Sequence, residues 1–246
     1  MTRPLLLGHR GARASRHIPE NTLASFELCL QHGCDGFEFD VRRSADGEAV
    51  ICHDATTHGM KIAETSARTL GLPTLEEVLR HVASRAFLDI ELKVAGLEQQ
   101  TIAALREHPP QKGYVVSSFL LEVLSAVHDL DASVPVGLLC EKRNQLPMER
   151  RASRPAGPFD FTQGRLAGTP VAPSEPSVTW VIPHIDLVDQ ALVKEFHAAG
   201  QRVIVWTVNR AEKIRQLSDW GVDAIITDET EHAVQALPAA SGHQVL

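Results

Sequence analysis

Short, continuous apolar runs alternate with helix-period segments along most of the chain, and this alternation restricts the fold more than any other feature. Leu5–Gly8, Gly36–Val41, Ala86–Lys93, Tyr114–Ser118, Val136–Cys140, Thr179–Pro183, Val203–Val208 and Ala224–Thr227 read as eight strands. Strands that are mostly apolar on both faces belong to a parallel sheet covered by helices. Between them, Thr22–His32, Thr74–Ala83, Glu98–Glu107, Leu120–Leu130, Val188–Ala199 and Ala211–Trp220 carry helical periodicity. Asn21 is expected to cap the first of these, and Thr74 with Glu77 has the spacing of a capping box. Eight repeats in 246 residues predict an α/β chain closed into a (β/α)8 TIM barrel, a single domain spanning 1–246. An open doubly wound sheet is the alternative, but no Gly-x-Gly-x-x-Gly turn follows the first strand.

One stretch breaks the rhythm. Lys142–Ser177 holds six of the 14 prolines, and six Lys or Arg against three acids, where the fifth helix should stand. An irregular Pro-rich insertion at 142–177 is expected there, either a lid or a disordered insert. The rest of the chain is acidic enough for a formal net charge of −7, which argues against a nucleic-acid partner. No run approaches the ~18 apolar residues of a membrane span. The three leucines near the start are too few for a signal-peptide core. Cys29, Cys34, Cys52 and Cys140 sit in apolar runs without CxxC spacing, as reduced thiols do. These features point to a cytoplasmic protein without stable membrane insertion, and they leave its oligomeric state open.

In such a barrel the chemistry gathers at the C-terminal ends of the strands. The first strand delivers His9 and Arg10, the second Glu38 and Asp40, and the third Glu91 and Lys93. The side-chain period of two puts Glu38 and Asp40 on one face and Phe37, Phe39 and Val41 on the other. Three carboxylates at neighbouring strand ends repel one another unless a cation lies between them. An oxygen-only donor set suits Mg²⁺ or Ca²⁺, while the absence of Cys or paired His ligands argues against Zn²⁺. The alternative for these acids is a stabilising ion-pair cluster with Arg10, Arg42 or Lys93. His9 and His53 stand close to these ends, and imidazole is the side chain most used for acid and base work.

Read together, His9-Arg10-Gly11, Pro19-Glu20-Asn21-Thr22, Gly36-Phe37-Glu38-Phe39-Asp40, His53-Asp54, Pro73-Thr74-Leu75-Glu76-Glu77 and Ile90-Glu91-Leu92-Lys93 resemble the glycerophosphodiester phosphodiesterase family. Ser117-Ser118-Phe119, Val205-Trp206-Thr207-Val208-Asn209 and Ile225-Ile226-Thr227-Asp228 continue the order, so the likeness runs from residue 5 to about residue 230. The resemblance implies metal-dependent hydrolysis of a small-molecule glycerophosphodiester to an alcohol and glycerol 3-phosphate. It implies metal ligation by Glu38, Asp40 and Glu91, and acid/base roles for His9 and His53. Arg10 and Lys93 would hold the phosphate, Glu20 would stand near the site, and Phe119 and Trp206 would line the alcohol pocket. His184, after the sixth strand, is a further candidate for the mouth.

Two regions depart from the family pattern: the 142–177 stretch, and a short segment between His53 and Pro73 that bears on the leaving alcohol. Two other functions remain open on this scaffold. One is cleavage through a cyclic phosphate, in the manner of a lysophospholipase D or sphingomyelinase D. The other is an inactive barrel used for binding.

Overall fold

The computed structural model describes residues 3–147 and 178–237. Its strands are β1 (Leu5–His9), β2 (Gly36–Arg43), β3 (Ala49–Ile51), β4 (Thr56–Thr57), β5 (Met60–Lys61), β6 (Phe87–Leu92), β7 (Tyr114–Ser118), β8 (Val136–Cys140), β9 (Trp180–Pro183), β10 (Arg202–Val205) and β11 (Ala224–Thr227). The α-helices among these residues are α1 (Leu23–Gln31), α2 (Ala67–Leu70), α3 (Leu75–Val82), α4 (Glu98–Glu107), α5 (Leu121–Leu130), α6 (Gln190–Ala198), α7 (Ala211–Trp220) and α8 (Thr230–Ala236).

Strand order is β1-β11-β10-β9-β8-β7-β6-β2, and β1 pairs in parallel with both β11 and β2, so the sheet closes on itself. The result is the expected eight-stranded parallel (β/α)8 barrel. Most of the 142–177 call lies outside the described residues. Its first six residues are described, and they include a 3₁₀ turn at Arg143–Gln145 after β8.

Two apolar layers hold the barrel. Inside it, Leu7, Phe87, Val115, Leu139, Trp180, Ile182, Ile204, Ala224 and Ile226 pack together, all but excluded from solvent. Outside it, alternate strand residues meet the helices. Phe26 of α1 stacks on Phe37 of β2, with centroids 4.2 Å apart and planes 3° apart, and Phe39 leans on both. Burying each such ring stabilises by roughly 1.5–3 kcal/mol, so the outward face of β2 is strongly specified. A slip of one residue would exchange these rings with Glu38 and Asp40.

Local signals explain the helix starts. Thr74 accepts from the Glu77 N–H while Glu77 reaches back to the Thr74 N–H, completing the capping box at α3. At α1 the cap differs from expectation: Thr22 Oγ1 accepts from Ser25 N–H at 3.2 Å, and Thr22 rather than Asn21 is the N-cap. Asn21 instead adopts a left-handed φ of 57°, which Asn tolerates better than most residues. That turn aims its amide at Asp40. Between His53 and Pro73 the chain folds as the β4–β5 hairpin, a 3₁₀ turn and α2.

Gly36 marks the closest approach within the barrel wall. It pairs with Phe87 in the β2–β6 register, and a Cβ there would lie 1.8 Å from the Phe87 carbonyl oxygen. Gly36→Ala should therefore destabilise the protein by about 3 kcal/mol, read by urea denaturation. A loss below about 1 kcal/mol would contradict this approach of β2 to β6.

Candidate active site

Residues facing the barrel interior alternate with residues facing the helices, so each strand carries its last inward side chain to the C-terminal mouth. There a cavity of about 300 Å³ is lined by His9, Arg10, Glu38, His53, Glu91, Lys93, Phe119, Leu139, Glu141, Trp206 and Ile226. Asp40 and Glu91 are register partners on β2 and β6, which makes their proximity a consequence of strand pairing. One carboxylate oxygen from each of Glu38, Asp40 and Glu91 lies within 4.8 Å of the others. All three residues are buried.

This crowding governs the local electrostatics. Burial, followed by the charges of Asp40, Glu91 and Asp89, pushes Glu38 well above the ordinary carboxylate range. Burial and the Asp40 charge raise Glu91 to about 7, against the pull of Lys93. Asp40 goes the other way. Burial pushes it up, but the Lys93 charge, a hydrogen bond from Asn21 and the Arg10 charge together hold it below its usual value. Lys93 Nζ stands 2.8 Å from Glu91 Oε1 and 3.2 Å from Asp40 Oδ1. Asn21 Nδ2 donates to Asp40 Oδ2 at 2.8 Å. Arg10 donates its backbone N–H to Glu38 Oε2 at 3.0 Å and its guanidinium to Glu20 Oε1 at 2.7 Å. Beneath them Asp89 accepts from Ser117 Oγ at 2.6 Å, and burial raises it to about 7.

Glu38 Oε1 is buried without a hydrogen-bond partner. Leaving such an oxygen unsatisfied is costly. An all-oxygen trio with one orphaned acceptor, partly neutralised by a single ammonium, fits a hard divalent cation. Glu38, Asp40 and Glu91 could hold one.

Both candidate acid/base histidines are oriented in the same way. His9 Nδ1 lies 2.7 Å from Asp228 Oδ1. Burial raises Asp228, but hydrogen bonds from His9, Asn209 and Arg13 outweigh it and keep the carboxyl far below its usual range. An ionised carboxylate only accepts, so His9 Nδ1 carries the proton. Its Nε2 is then turned to the carboxylates, 3.9 Å from Glu38 Oε2. His53 Nδ1 lies 2.7 Å from Asp54 Oδ1, and that contact holds Asp54 below its usual range. Burial lowers the His53 pKa, partly offset by Asp40 and Asp54.

Glu20 does not line the cavity. It joins Arg10 to Arg13, and Arg13 in turn contacts Asp228 at 3.1 Å. Trp206 and Phe119 meet edge to face at 5.8 Å, and His184 stands 5.2 Å from Trp206 on the same side of the mouth. Asn209 caps the loop, accepting from the Asp228 N–H at 2.9 Å and donating to Asp228 Oδ2 at 2.8 Å. Sequence reasoning assigned no role to Asp228 or Glu141, although parity could have found both. Asp228 is two residues beyond inward Ile226, and Glu141 two beyond inward Leu139.

Known proteins share the family and the fold. The model of the glycerophosphoryl diester phosphodiesterase family matches residues 9–232. A glycerophosphodiester phosphodiesterase of Caldanaerobacter subterraneus subsp. tengcongensis is 28% identical over 258 residues, covering 92% of this chain and 95% of the relative. One from Bacillus subtilis is 26% identical and covers 92% of this chain and 84% of its own. Among solved structures, a phosphodiesterase of Oleispira antarctica in complex with the product sn-glycerol-3-phosphate superposes with a TM-score of 0.76. It is 26% identical, covering 95% of this chain and 96% of that one.

The raised carboxylates lead to a pH-dependent outcome. Groups whose pKa rises on folding stabilise the fold while protonated, and that contribution is lost as pH climbs through the folded value. For Glu91 and Asp89 it fades from the ordinary carboxylate range up to about 7. A divalent cation held by the deprotonated trio should raise the melting temperature more at about pH 8 than at about pH 5.5. At a hundredfold excess over its Kd the gain is about 2.7 kcal/mol. Thermal denaturation with Mg²⁺ or Ca²⁺ at both pH values checks this; equal or inverted shifts would contradict it.

Proposed function

The chain belongs to the glycerophosphoryl diester phosphodiesterase family, and from that premise we propose that it hydrolyses a small glycerophosphodiester to an alcohol and glycerol 3-phosphate. The observation that carries this reading is the convergence of three kinds of group on one small cavity. They are a carboxylate trio fit for Mg²⁺ or Ca²⁺, two Asp-oriented histidines, and the cations Arg10 and Lys93. The Oleispira antarctica phosphodiesterase, solved with sn-glycerol-3-phosphate, supports the same product for this chain.

The reaction needs charge neutralisation at the phosphate, a base for the attacking oxygen and an acid for the departing one. Glu38, Asp40 and Glu91 would hold a divalent cation, which would supply positive charge to offset the phosphate. Local charge then favours an anion despite the net charge of −7. The trio contributes −3, a bound cation would bring this to about −1, and Arg10 with Lys93 to about +1 around the phosphate, with the Glu141 carboxylate on the remaining wall left outside that sum. His9 Nε2 takes a proton from the attacking water as its oxygen bonds to phosphorus. The phosphorus–oxygen bond to the alcohol breaks, and His53, entering the step as the imidazolium, gives that oxygen the proton on its Nε2. Both histidines reset through solvent. Asp228 and Asp54 hold the two rings with Nδ1 protonated, leaving each Nε2 for the reaction.

The cavity volume, about 300 Å³, is at the lower end of small-molecule sites. That supports a deacylated substrate over a lysolipid with an acyl chain. His9, His53, Glu38, Asp40 and Glu91 are all in place, which weighs against an inactive scaffold. Cys29, Cys34 and Cys52 stand unbridged, which supports action in a reducing compartment such as the cytoplasm.

Phosphorus NMR of the reaction with glycerophosphocholine should show a ring-free monoester, and a chelator should abolish it. Accumulation of a cyclic ester would favour intramolecular attack instead. His9→Ala and His53→Ala should each lower kcat by roughly 10²–10⁴-fold. On a glycerol phosphodiester with an aryl leaving group, which departs without a proton, His53→Ala should recover most of its loss and His9→Ala should not. The opposite pattern would exchange the acid and base roles.

A further inference from the structure

The cavity is divided by charge. Arg10 and Lys93 lie toward the carboxylate trio, where the phosphate is read to bind. The remaining wall is made by Phe119, Leu139, Glu141, Trp206 and Ile226. Among the described residues, the Glu141 carboxylate has neither an ion-pair partner nor a hydrogen-bond donor. Its backbone N–H donates to Gln145 Oε1 at 2.8 Å, and the neighbouring Lys142 N–H donates to the same oxygen at 2.7 Å. This closed turn projects Glu141 from the end of β8 while leaving its side chain uncommitted.

The aromatic groups that line the same cavity are held in place. Trp206 Nε1 donates to the Ile182 carbonyl oxygen at 2.9 Å, which uses its single donor and pins the indole. Phe119 stands edge-on to it with an interplanar angle of 78°. The Phe119 ring already has a cation near it, since Lys93 Nζ lies 6.0 Å from its centroid. Rigid aromatic rings beside a carboxylate and aliphatic side chains are the chemistry that receives an alkylammonium group. An uncompensated carboxylate in the same cavity as an anionic diester is repulsive. A positive charge on the leaving alcohol would remove that repulsion.

We propose that Glu141, with Phe119 and Trp206, forms a subsite for a cationic leaving alcohol, so that the substrate is a zwitterionic glycerophosphodiester of an amino alcohol. This rests on the hydrolytic reading above and specifies its substrate class. Glu141 carries the specificity, because the aromatic wall would accept a neutral alkyl group as readily.

Two measurements test it. In the first, kcat/KM is compared for glycerophosphocholine, glycerophosphoethanolamine and glycerophosphoglycerol, using the wild-type enzyme and Glu141→Gln. The wild type should favour the two cationic substrates by about tenfold, the order of one close charge pair with Glu141. Glu141→Gln should erase most of that ratio, chiefly through KM. An unchanged ratio, or an equal fall on all three substrates, would overturn the proposal, because Glu141 would then hold the shared glycerol or only the loop.

The second measurement needs no turnover. Quenching of tryptophan fluorescence is titrated with choline and with its neutral isostere 3,3-dimethyl-1-butanol. Choline should bind the wild type about tenfold more tightly, and Glu141→Gln should abolish the difference. Equal binding of the two by the wild type would overturn the subsite. Choline discrimination without hydrolysis of any diester would retain the subsite and refute the hydrolytic reading.

Discussion

Glu38, Asp40 and Glu91 face one another inside a closed parallel barrel, close enough that their charges cannot all persist without positive compensation. Their position follows from the strands that carry them. Phe37 and Phe39 are buried outward against Phe26, so the alternate residues Glu38 and Asp40 must point inward. The β2–β6 register then sets Asp40 beside Glu91. Hydrophobic packing on one side of β2 thus enforces electrostatic repulsion on the other. Lys93, Asn21 and Arg10 relieve Asp40, while Glu38 keeps one oxygen without a partner. The strain of this arrangement is what a divalent cation would discharge.

Barrel closure supplies the other half of the site. His9 and Asp228 are 219 positions apart in sequence, yet they meet at 2.7 Å. They sit one residue beyond the Gly8–Thr227 register pair of β1 and β11. His53 reaches the same arrangement locally, through the Asp54 that follows it. One imidazole is therefore oriented by the fold's longest-range pairing and the other by its nearest neighbour. Loosening the β1–β11 seam would affect His9 without touching His53.

The periodicity of two and the alternation of strand and helix sufficed for the barrel, its strand count and the inward set Glu38, Asp40, Glu91 and Lys93. Helix starts were less certain, because Asn21 and Thr22 are both good caps and the choice depends on tertiary structure. Asn21 is drawn away by Asp40, a partner on another strand. Asp228 lay in a recognised stretch, but its role is visible only once the first and last strands are joined. Glu141 lies just past the end of β8, where apolar patterning stops and only its parity with inward Leu139 marks it. The 3₁₀ turn at Arg143–Gln145, which carries the Gln145 side chain back to the Glu141 N–H, is likewise invisible to periodicity.

The account stands or falls on whether the three carboxylates share one cation beside the phosphate. Anomalous diffraction from crystals grown with Mn²⁺ and glycerol 3-phosphate measures this directly. The account predicts a single strong peak at about 2.0–2.3 Å from an oxygen of each of Glu38, Asp40 and Glu91, with Arg10 and Lys93 on the phosphate and His9 Nε2 facing it. A peak elsewhere, or a phosphate bound with Lys93 still bridging Asp40 and Glu91 and no ion between the three acids, would contradict it.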